Sequence, residues 1–186
     1  MSIKSGLLAA MTAGVLMAGP AAAQEMVFGG EADRAYAADL WQVMVDMHLA
    51  GDNMIRSFPY EGVAPHGMML ETFYASATLG GHSGALIVKR NYGPEGVELD
   101  QVLADPATHL AAVTVMFQRE DGYDADNQNW FWVKYLPDGS LDKNPAGMAL
   151  AGKVAKGADA GCIACHSNEE DYLFTTDAPM GMAMMK

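Results

Sequence analysis

Residues 85–92 read Ala85-Leu86-Ile87-Val88-Lys89-Arg90-Asn91-Tyr92. The run is rich in the apolar and β-branched side chains that favour strands. Residues 112–118 and 130–136 have a similar composition, and the polar stretch 120–129 between them is typical of a hairpin loop. These stretches predict a β-rich domain.

Helical periodicity precedes the strands. Between Glu31 and about Ala50, apolar residues recur at helical spacing with charged residues between them: Ala35, Leu40, Trp41, Met44, Val45 and Met47. This pattern predicts an amphipathic helix. A second, shorter helix is expected from His66 to Ala77, entered through Pro65 and ending before Gly80-Gly81.

Near the C-terminus the chain carries Cys162-Ile163-Ala164-Cys165-His166. Cys-x-x-Cys-His is the attachment pattern of a c-type haem, in which two thiols bond to the porphyrin and the histidine ligates the iron. A redox dithiol, a disulfide and half of a zinc site are the alternatives. A zinc site usually needs four side-chain ligands, and the chain has only these two cysteines. We therefore expect one covalently attached haem c, with Cys162 and Cys165 as attachment residues and His166 as the proximal axial ligand.

The first 23 residues have the pattern of a secretory signal peptide. Lys4 supplies the positive start, residues 6–19 are apolar and small, and Ala21-Ala22-Ala23 offers a cleavage site. The apolar run is short and rich in glycine and alanine, which disfavours a membrane anchor. Bacteria attach haem c on the exported side of the membrane, so signal and motif together predict a periplasmic protein. Residues 24–186 would form a single haem domain, with 178–186 as a flexible tail.

The charge balance excludes some partners. Removing Lys4 with the signal leaves 10 basic residues against 23 acidic ones, a formal net charge of −13. Such a chain repels nucleic acid and anionic lipid. It could attract a basic redox partner in the periplasm, although the acidity could also serve solubility alone.

The haem motif lies unusually late, because only 20 residues follow His166. In small electron-transfer cytochromes c the motif comes early, and a methionine far downstream supplies the sixth ligand. Cytochromes c′ carry the motif late but are four-helix bundles, which the strands predicted here do not fit. Residues that precede the motif must therefore build most of the distal side of the haem.

In these features the chain resembles the family of cytochrome P-460 and cytochrome c′-beta, from about Pro65 to Thr176. The specific part is the late haem motif followed by a short aromatic stretch. The resemblance is carried by Ala85-Leu86-Ile87-Val88-Lys89, by Trp130-Phe131-Trp132 before a Pro-Asp-Gly turn, by Cys162-Ile163-Ala164-Cys165-His166 and by Asp171-Tyr172-Leu173-Phe174.

The resemblance implies an α+β fold: a predominantly antiparallel sheet with flanking helices and the haem packed on the sheet. It also implies a homodimer and one five-coordinate haem iron, open to nitric oxide, carbon monoxide or hydroxylamine. In cytochrome P-460 a lysine at the end of a short apolar strand is bonded to the porphyrin, and Lys89 matches that position. Lys89 shares a strand face with Ala85 and Ile87, but the opposite face is equally apolar. A pocket lysine without the bond and a surface lysine thus remain alternatives.

The distal residues are left open by the sequence. The acidic or polar candidates for moving protons are Glu71, Asp105, Glu120, Asp121, Gln118 and Arg119. In the c′-beta type the pocket is capped by phenylalanines, for which Phe73, Phe117 and Phe131 are candidates, with ordinary core packing as the alternative.

Three functions are compatible with these features. The first is oxidation of hydroxylamine, an oxidoreductase activity whose marker is Lys89. The second is non-catalytic binding of nitric oxide or carbon monoxide. The third is electron transfer, which requires a sixth protein ligand. Candidates for that ligand are His48, His66, His82, His109, Met180, Met182, Met184 and Met185.

Overall fold

The computed structural model describes residues 27–174. The predicted signal peptide (1–23) and flexible tail (178–186), with the four candidate methionines at 180–185, lie outside the described residues. Within 27–174, six strands form one sheet in the order β1-β2-β3-β4-β5-β6, and every neighbouring pair is antiparallel. The strands are β1 (Tyr60–Glu61), β2 (Met69–Leu79), β3 (His82–Tyr92), β4 (Leu110–Gln118), β5 (Trp130–Tyr135) and β6 (Ala151–Gly152). The helices are α1 (Glu31–Asp46), α2 (Leu99–Ala104), α3 (Pro106–His109) and α4 (Cys162–His166).

Helix α1 covers one face of the sheet. The predicted amphipathic helix is confirmed, although it ends at Asp46 rather than near Ala50. Its buried stripe, which includes Leu40 and Met44, packs on inward side chains of the strands such as Val88 of β3. The hydroxyl of Tyr135 in β5 donates a buried hydrogen bond to the carbonyl of Ala37, with an O···O distance of 2.7 Å.

The helix expected from His66 to Ala77 is wrong, because this segment contributes strand β2. Strand β2 pairs with β3 along its whole length, from Met69 opposite Tyr92 to Leu79 opposite His82. Gly80-Gly81 is the two-residue turn of this hairpin, and both glycines have positive φ angles of 61° and 83°. Such turns match the twist of antiparallel strands and favour glycine. The glycine pair therefore closes a hairpin and does not stop a helix.

The other predicted strands are confirmed. Residues 85–92 belong to β3, which begins three residues earlier at His82, and 112–118 and 130–136 correspond to β4 and β5. The polar stretch 120–129 is the loop between those two strands and contains a short 3-10 turn, Ala125–Asn127. Residues 142–161 are mostly loop, with β6 inside them. The α+β architecture agrees with the expectation and is not a four-helix bundle.

The sheet has two apolar faces. Alternation along β3 sends Leu86 and Val88 to the α1 face, while Ile87 belongs to a second cluster on the opposite face. The second cluster also contains Met116, Trp130, Trp132, Val154, Ile163 and Tyr172. It is completed by the loop before α4, by α4 itself and by the segment after it. Among the helices of residues 27–174, none has the length and hydrophobicity that a membrane span requires.

Candidate functional site

A cavity of about 770 Å³ lies between the second face of the sheet and the segment that carries α4. Strands β2 to β5 form one wall and residues 159–168 contribute to the other. The side chains of Cys162, Cys165, His166 and Lys89 all contribute to the lining. The fold thus brings together the four residues that the sequence selected as site residues.

Helix α4 is short, and its local sequence explains its position. Gly161 precedes it with a φ of +125°, and a Cβ at this position would lie 2.4 Å from the Cβ of Ala155. Only glycine fits this conformation and this close approach. Ile163 is buried in the second apolar cluster and anchors the helix. Cys162 and Cys165, three residues apart, lie on the same face of the helix.

The two cysteines are not bonded to each other and lie in different environments. Cys162 is half-buried, and burial raises the pKa of its thiol above the ordinary value. Cys165 is exposed. Both line the cavity, so each sulfur is available to a group that enters it.

The imidazole of His166 is buried and held in one orientation. Its Nδ1 donates a hydrogen bond to the carbonyl of Tyr172 at 2.7 Å, which leaves the lone pair on Nε2. The ring packs against Trp132 and Phe174, with centroid distances of 4.9 and 5.1 Å. Burial lowers the pKa of His166, which favours its neutral form. A hydrogen bond from one ring nitrogen is the usual means of orienting a histidine toward a metal.

The segment after α4 is built to hold this histidine. Tyr172 has a φ of +63°, and its buried hydroxyl donates to Asn127 Oδ1 at 3.2 Å. Asp171 accepts a hydrogen bond from the backbone of Leu173 at 2.9 Å. The Asp171-Tyr172-Leu173-Phe174 stretch therefore supplies both the carbonyl partner and an aromatic neighbour of His166.

Lys89 lies on the cavity wall, half-buried on strand β3. Burial lowers the pKa of its ammonium below the ordinary value, and a smaller opposing effect comes from Cys165. In the sheet Lys89 stands opposite Thr72 of β2 and Thr114 of β4, which also line the cavity. Of the placements that the sequence left open, Lys89 occupies a pocket position and not a surface one.

His66 also lines the cavity, just before strand β2. Its ring centroid lies 6.0 Å from that of His166, and the two ring planes are nearly perpendicular at 89°. Its Nδ1 is 3.4 Å from the hydroxyl oxygen of Thr114. Burial, followed by the charge of Lys89, lowers the pKa of His66 to about 4.

The cavity is large and its lining is mostly apolar. The volume falls in the range of cofactor pockets, about 300–1,000 Å³. Lys89 and Lys134 bring basic groups to the wall, where Asp159 adds an acidic one and Lys134 pairs with Asp142 at 2.8 Å. The indole Nε1 of Trp132 is buried without a hydrogen-bond partner among the described residues. The volume, the two thiols, the oriented imidazole and the unpaired indole donor together fit a haem.

The candidate phenylalanines do not line the cavity. Phe117 and Phe131 belong to the core under α1, and Phe73 packs against that same core. Phe73 also lies under the guanidinium of Arg90, which is 4.4 Å from the ring centroid. These three residues therefore pack the opposite face of the sheet.

The polar distal candidates lie elsewhere too. Glu71 is fully buried and accepts hydrogen bonds from Arg90 and Tyr92 away from the cavity. Asp105 caps α3, and Glu120 pairs with Arg119 at 2.7 Å. The remaining candidates outside the lining are Asp121, Gln118, His48, His82 and His109.

Sequence reasoning missed several lining residues. Thr114 and Trp132 line the cavity because alternate residues of β4 and β5 face it. The alternation is present in the sequence, but it does not tell which face of the sheet forms the pocket. Asp159 lines it from the loop before α4, where no periodicity marks it.

The comparisons with known proteins agree with this geometry. The family model described as Cytochrome P460 matches residues 64–175, which is more than half of the chain and includes the cavity walls from β2 to Phe174. No curated protein and no solved structure matched the chain. The chain therefore belongs to the cytochrome P460 family and is a cytochrome that binds haem.

Proposed function

We propose that the protein is a periplasmic c-type cytochrome with one haem, which binds and oxidises small nitrogen species, with hydroxylamine as the substrate. The observation that carries this proposal is the position of Lys89 in the same cavity as Cys162, Cys165 and His166. In this family a lysine bonded to the porphyrin marks the hydroxylamine-oxidising members.

The chain's own residues would hold the haem in defined ways. Cys162 and Cys165 would form the two covalent bonds to the porphyrin, and His166 would ligate the iron through Nε2, since its Nδ1 is engaged by Tyr172. Lys89 would bond to the macrocycle from the sheet side of the cavity. When bound, the haem supplies the redox chemistry and the site for the nitrogen atom of the substrate.

The residues of the cavity wall would then serve the substrate. Oxidation of hydroxylamine releases protons, and acceptors on the wall are needed to remove them. His66 and Asp159 line the cavity and carry suitable lone pairs. The proposal requires a coordination position on the iron that the nitrogen species could reach when the haem is bound.

Non-catalytic binding of nitric oxide or carbon monoxide is the second candidate function. The observation that favours it is the predominantly apolar lining of the cavity, to which Ile87, Met116 and Trp132 contribute. A gas carrier needs a bound ligand but no substrate turnover, so the two functions separate by kinetics.

The location and the partners belong to the same proposal. Residues 1–23 would direct export, and residues 24–186 would form the mature haem domain. The acidic mature chain would pass electrons to a basic periplasmic redox partner and would form a homodimer. N-terminal sequencing of periplasmic protein should begin at Gln24, and light scattering should give twice the monomer mass. A sequence that starts at Met1 would contradict cleavage of the signal peptide, and the mass of a monomer would contradict the homodimer.

Two lysine variants test the catalytic proposal. Lys89 and Lys134 both line the cavity, so Lys134→Met is a matched control for Lys89→Met. We expect Lys89→Met to abolish hydroxylamine-dependent reduction of an electron acceptor, while Lys134→Met retains it. We also expect peptide mapping to show haem on Lys89 in the wild type. Equal activities of Lys89→Met and the wild type would refute the role of Lys89, and a wild type without turnover would favour gas binding.

A further inference from the structure

We propose that His66 is the second axial ligand of the haem iron, opposite His166, in the resting protein. The inference rests on the proposed attachment of haem by Cys162, Cys165 and His166. It goes beyond the proposed chemistry because it assigns the sixth coordination position to a residue of the chain.

The separation of the two imidazoles carries the argument. Two imidazoles on opposite sides of one metal ion have ring centroids about 6.2–6.4 Å apart, only slightly more than the separation in this cavity, because each metal–nitrogen bond is about 2.0–2.1 Å and each nitrogen lies about 1.1 Å from its ring centre. The centroids of His66 and His166 are 6.0 Å apart, and both rings line the cavity. A distal histidine that does not ligate the iron would need a longer separation to admit a ligand between them.

The hydrogen bonds of His66 leave the correct nitrogen free. Thr114 Oγ1 lies 3.2 Å from Asn91 Nδ2, 3.4 Å from His66 Nδ1 and 3.5 Å from the carbonyl oxygen of Lys89. The amide of Asn91 donates to the hydroxyl oxygen of Thr114, and the carbonyl of Lys89 can only accept. The single hydroxyl proton of Thr114 is therefore donated to the carbonyl oxygen of Lys89. All three contacts are then satisfied only if His66 Nδ1 donates to Thr114. The lone pair of His66 is thereby on Nε2, as it is in His166.

The two histidines thus have the same hydrogen-bonding arrangement. Each is held through Nδ1 by a residue of its own wall, Thr114 for His66 and Tyr172 for His166. Orientation by the second ring nitrogen is typical of metal-ligating histidines. A small molecule would have to displace His66 to reach the iron, and the released imidazole would lie beside it. Ligation by His66 would therefore control access to the iron.

The spin state of the ferric holoprotein tests this assignment. We expect wild-type protein to be low-spin by electron paramagnetic resonance, and His66→Ala to be high-spin. Added imidazole should restore the low-spin signal in His66→Ala. Two controls should stay low-spin, His82→Ala and His109→Ala, because each removes a histidine that lies outside the cavity lining.

Ligand kinetics provide a second readout. The rate of carbon monoxide binding to ferrous wild type should reach a plateau as its concentration rises, because His66 must leave first. In His66→Ala the rate should rise linearly. If His66→Ala fails to retain haem, His66→Met keeps a ligand in place and should show the absorption of sulfur-to-iron coordination.

The outcomes separate the inference from the function on which it rests. High-spin wild-type protein with both thioether bonds intact by mass spectrometry would refute only the role of His66 and leave the two rings as an edge-to-face packing contact. A low-spin signal that persists in His66→Ala would refute it as well. Wild-type protein without covalent haem would refute the attachment and with it this inference.

Discussion

Arg90→Met should remove a large part of the stability of the domain. Arg90 and Glu71 have fully buried side chains, and their ion pair has an N···O distance of 3.1 Å. Arg90 also donates to the carbonyls of Leu49 and Ile55, which ties the segment after α1 to β3. Removing one partner of a buried ion pair costs about 3–5 kcal/mol, and in Arg90→Met the buried Glu71 would keep only the partly exposed Arg56 as a cationic partner. A domain of this size has about 5–15 kcal/mol in total.

The free energy of unfolding of Arg90→Met can be measured by urea denaturation. With a slope of about 2 kcal/mol per molar, the midpoint should fall by about 1.5–2.5 M. Arg34→Met is the matched control, since Arg34 is exposed on α1 and should change the stability by no more than about 0.5 kcal/mol. If Arg90→Met lowers the free energy of unfolding by less than about 1 kcal/mol, the buried ion pair does not have the importance assigned to it.

A double-mutant cycle sharpens the test. Glu71→Gln alone should also be strongly destabilising, because Glu71 accepts from Arg90, Arg56, Tyr92 and the backbone of Ser57. Combined with Arg90→Met it should cost clearly less than the sum of the two single changes, since no buried charge is then left unpaired. Strict additivity would contradict a direct pair. Glu71→Gln should leave the haem spectrum unchanged, because Glu71 lies outside the cavity lining.

Two further stability predictions concern the sheet and its contact with α1. Gly84→Ala would bring a Cβ to 1.9 Å from a backbone carbonyl oxygen of β4, so it should cost about 1–3 kcal/mol. Gly30→Ala, at the N-cap of α1, meets nothing within 4 Å and should cost less, because it loses only the preference for glycine over alanine at an N-cap. Equal melting temperatures of the two variants would contradict this. Tyr135→Phe loses the buried hydrogen bond to α1 and should cost about 1–2 kcal/mol of stability. Tyr36→Phe should cost much less, because the hydroxyl of Tyr36 has no partner among the described residues. Calorimetry of both variants measures the difference.

The sequence predicted the strands better than the helices because the strands have strong local signals. Residues 85–92 alternate between two covered faces of the sheet and most of them are apolar, so the β character is clear. The segment 66–77 contains alanine and methionine, which are also compatible with a helix. Its strand conformation depends on pairing with β3 over eleven residues, a long-range contact that no local pattern contains.

The site was predictable where covalent chemistry imposes a motif. Cys162, Cys165 and His166 are adjacent in sequence, and Lys89 came from the resemblance to the family. The pocket face of β3 could not be chosen from the sequence, because Leu86 and Val88 face α1 while Ile87 and Lys89 face the cavity, and both faces are covered. For the same reason Phe73, Phe117 and Phe131 could not be separated from true lining residues. Their positions follow from where α1 packs.

We propose that this cavity holds a haem bonded to Cys162 and Cys165, with Lys89 as a third point of attachment. Peptide mapping by mass spectrometry of holoprotein, made with a working haem-attachment system, tests it most directly. We expect one haem on the peptide that contains both cysteines, joined to the peptide that contains Lys89. Recovery of both cysteines as free thiols would refute the attachment of haem. A haem peptide without Lys89 would refute the proposed catalytic role of Lys89.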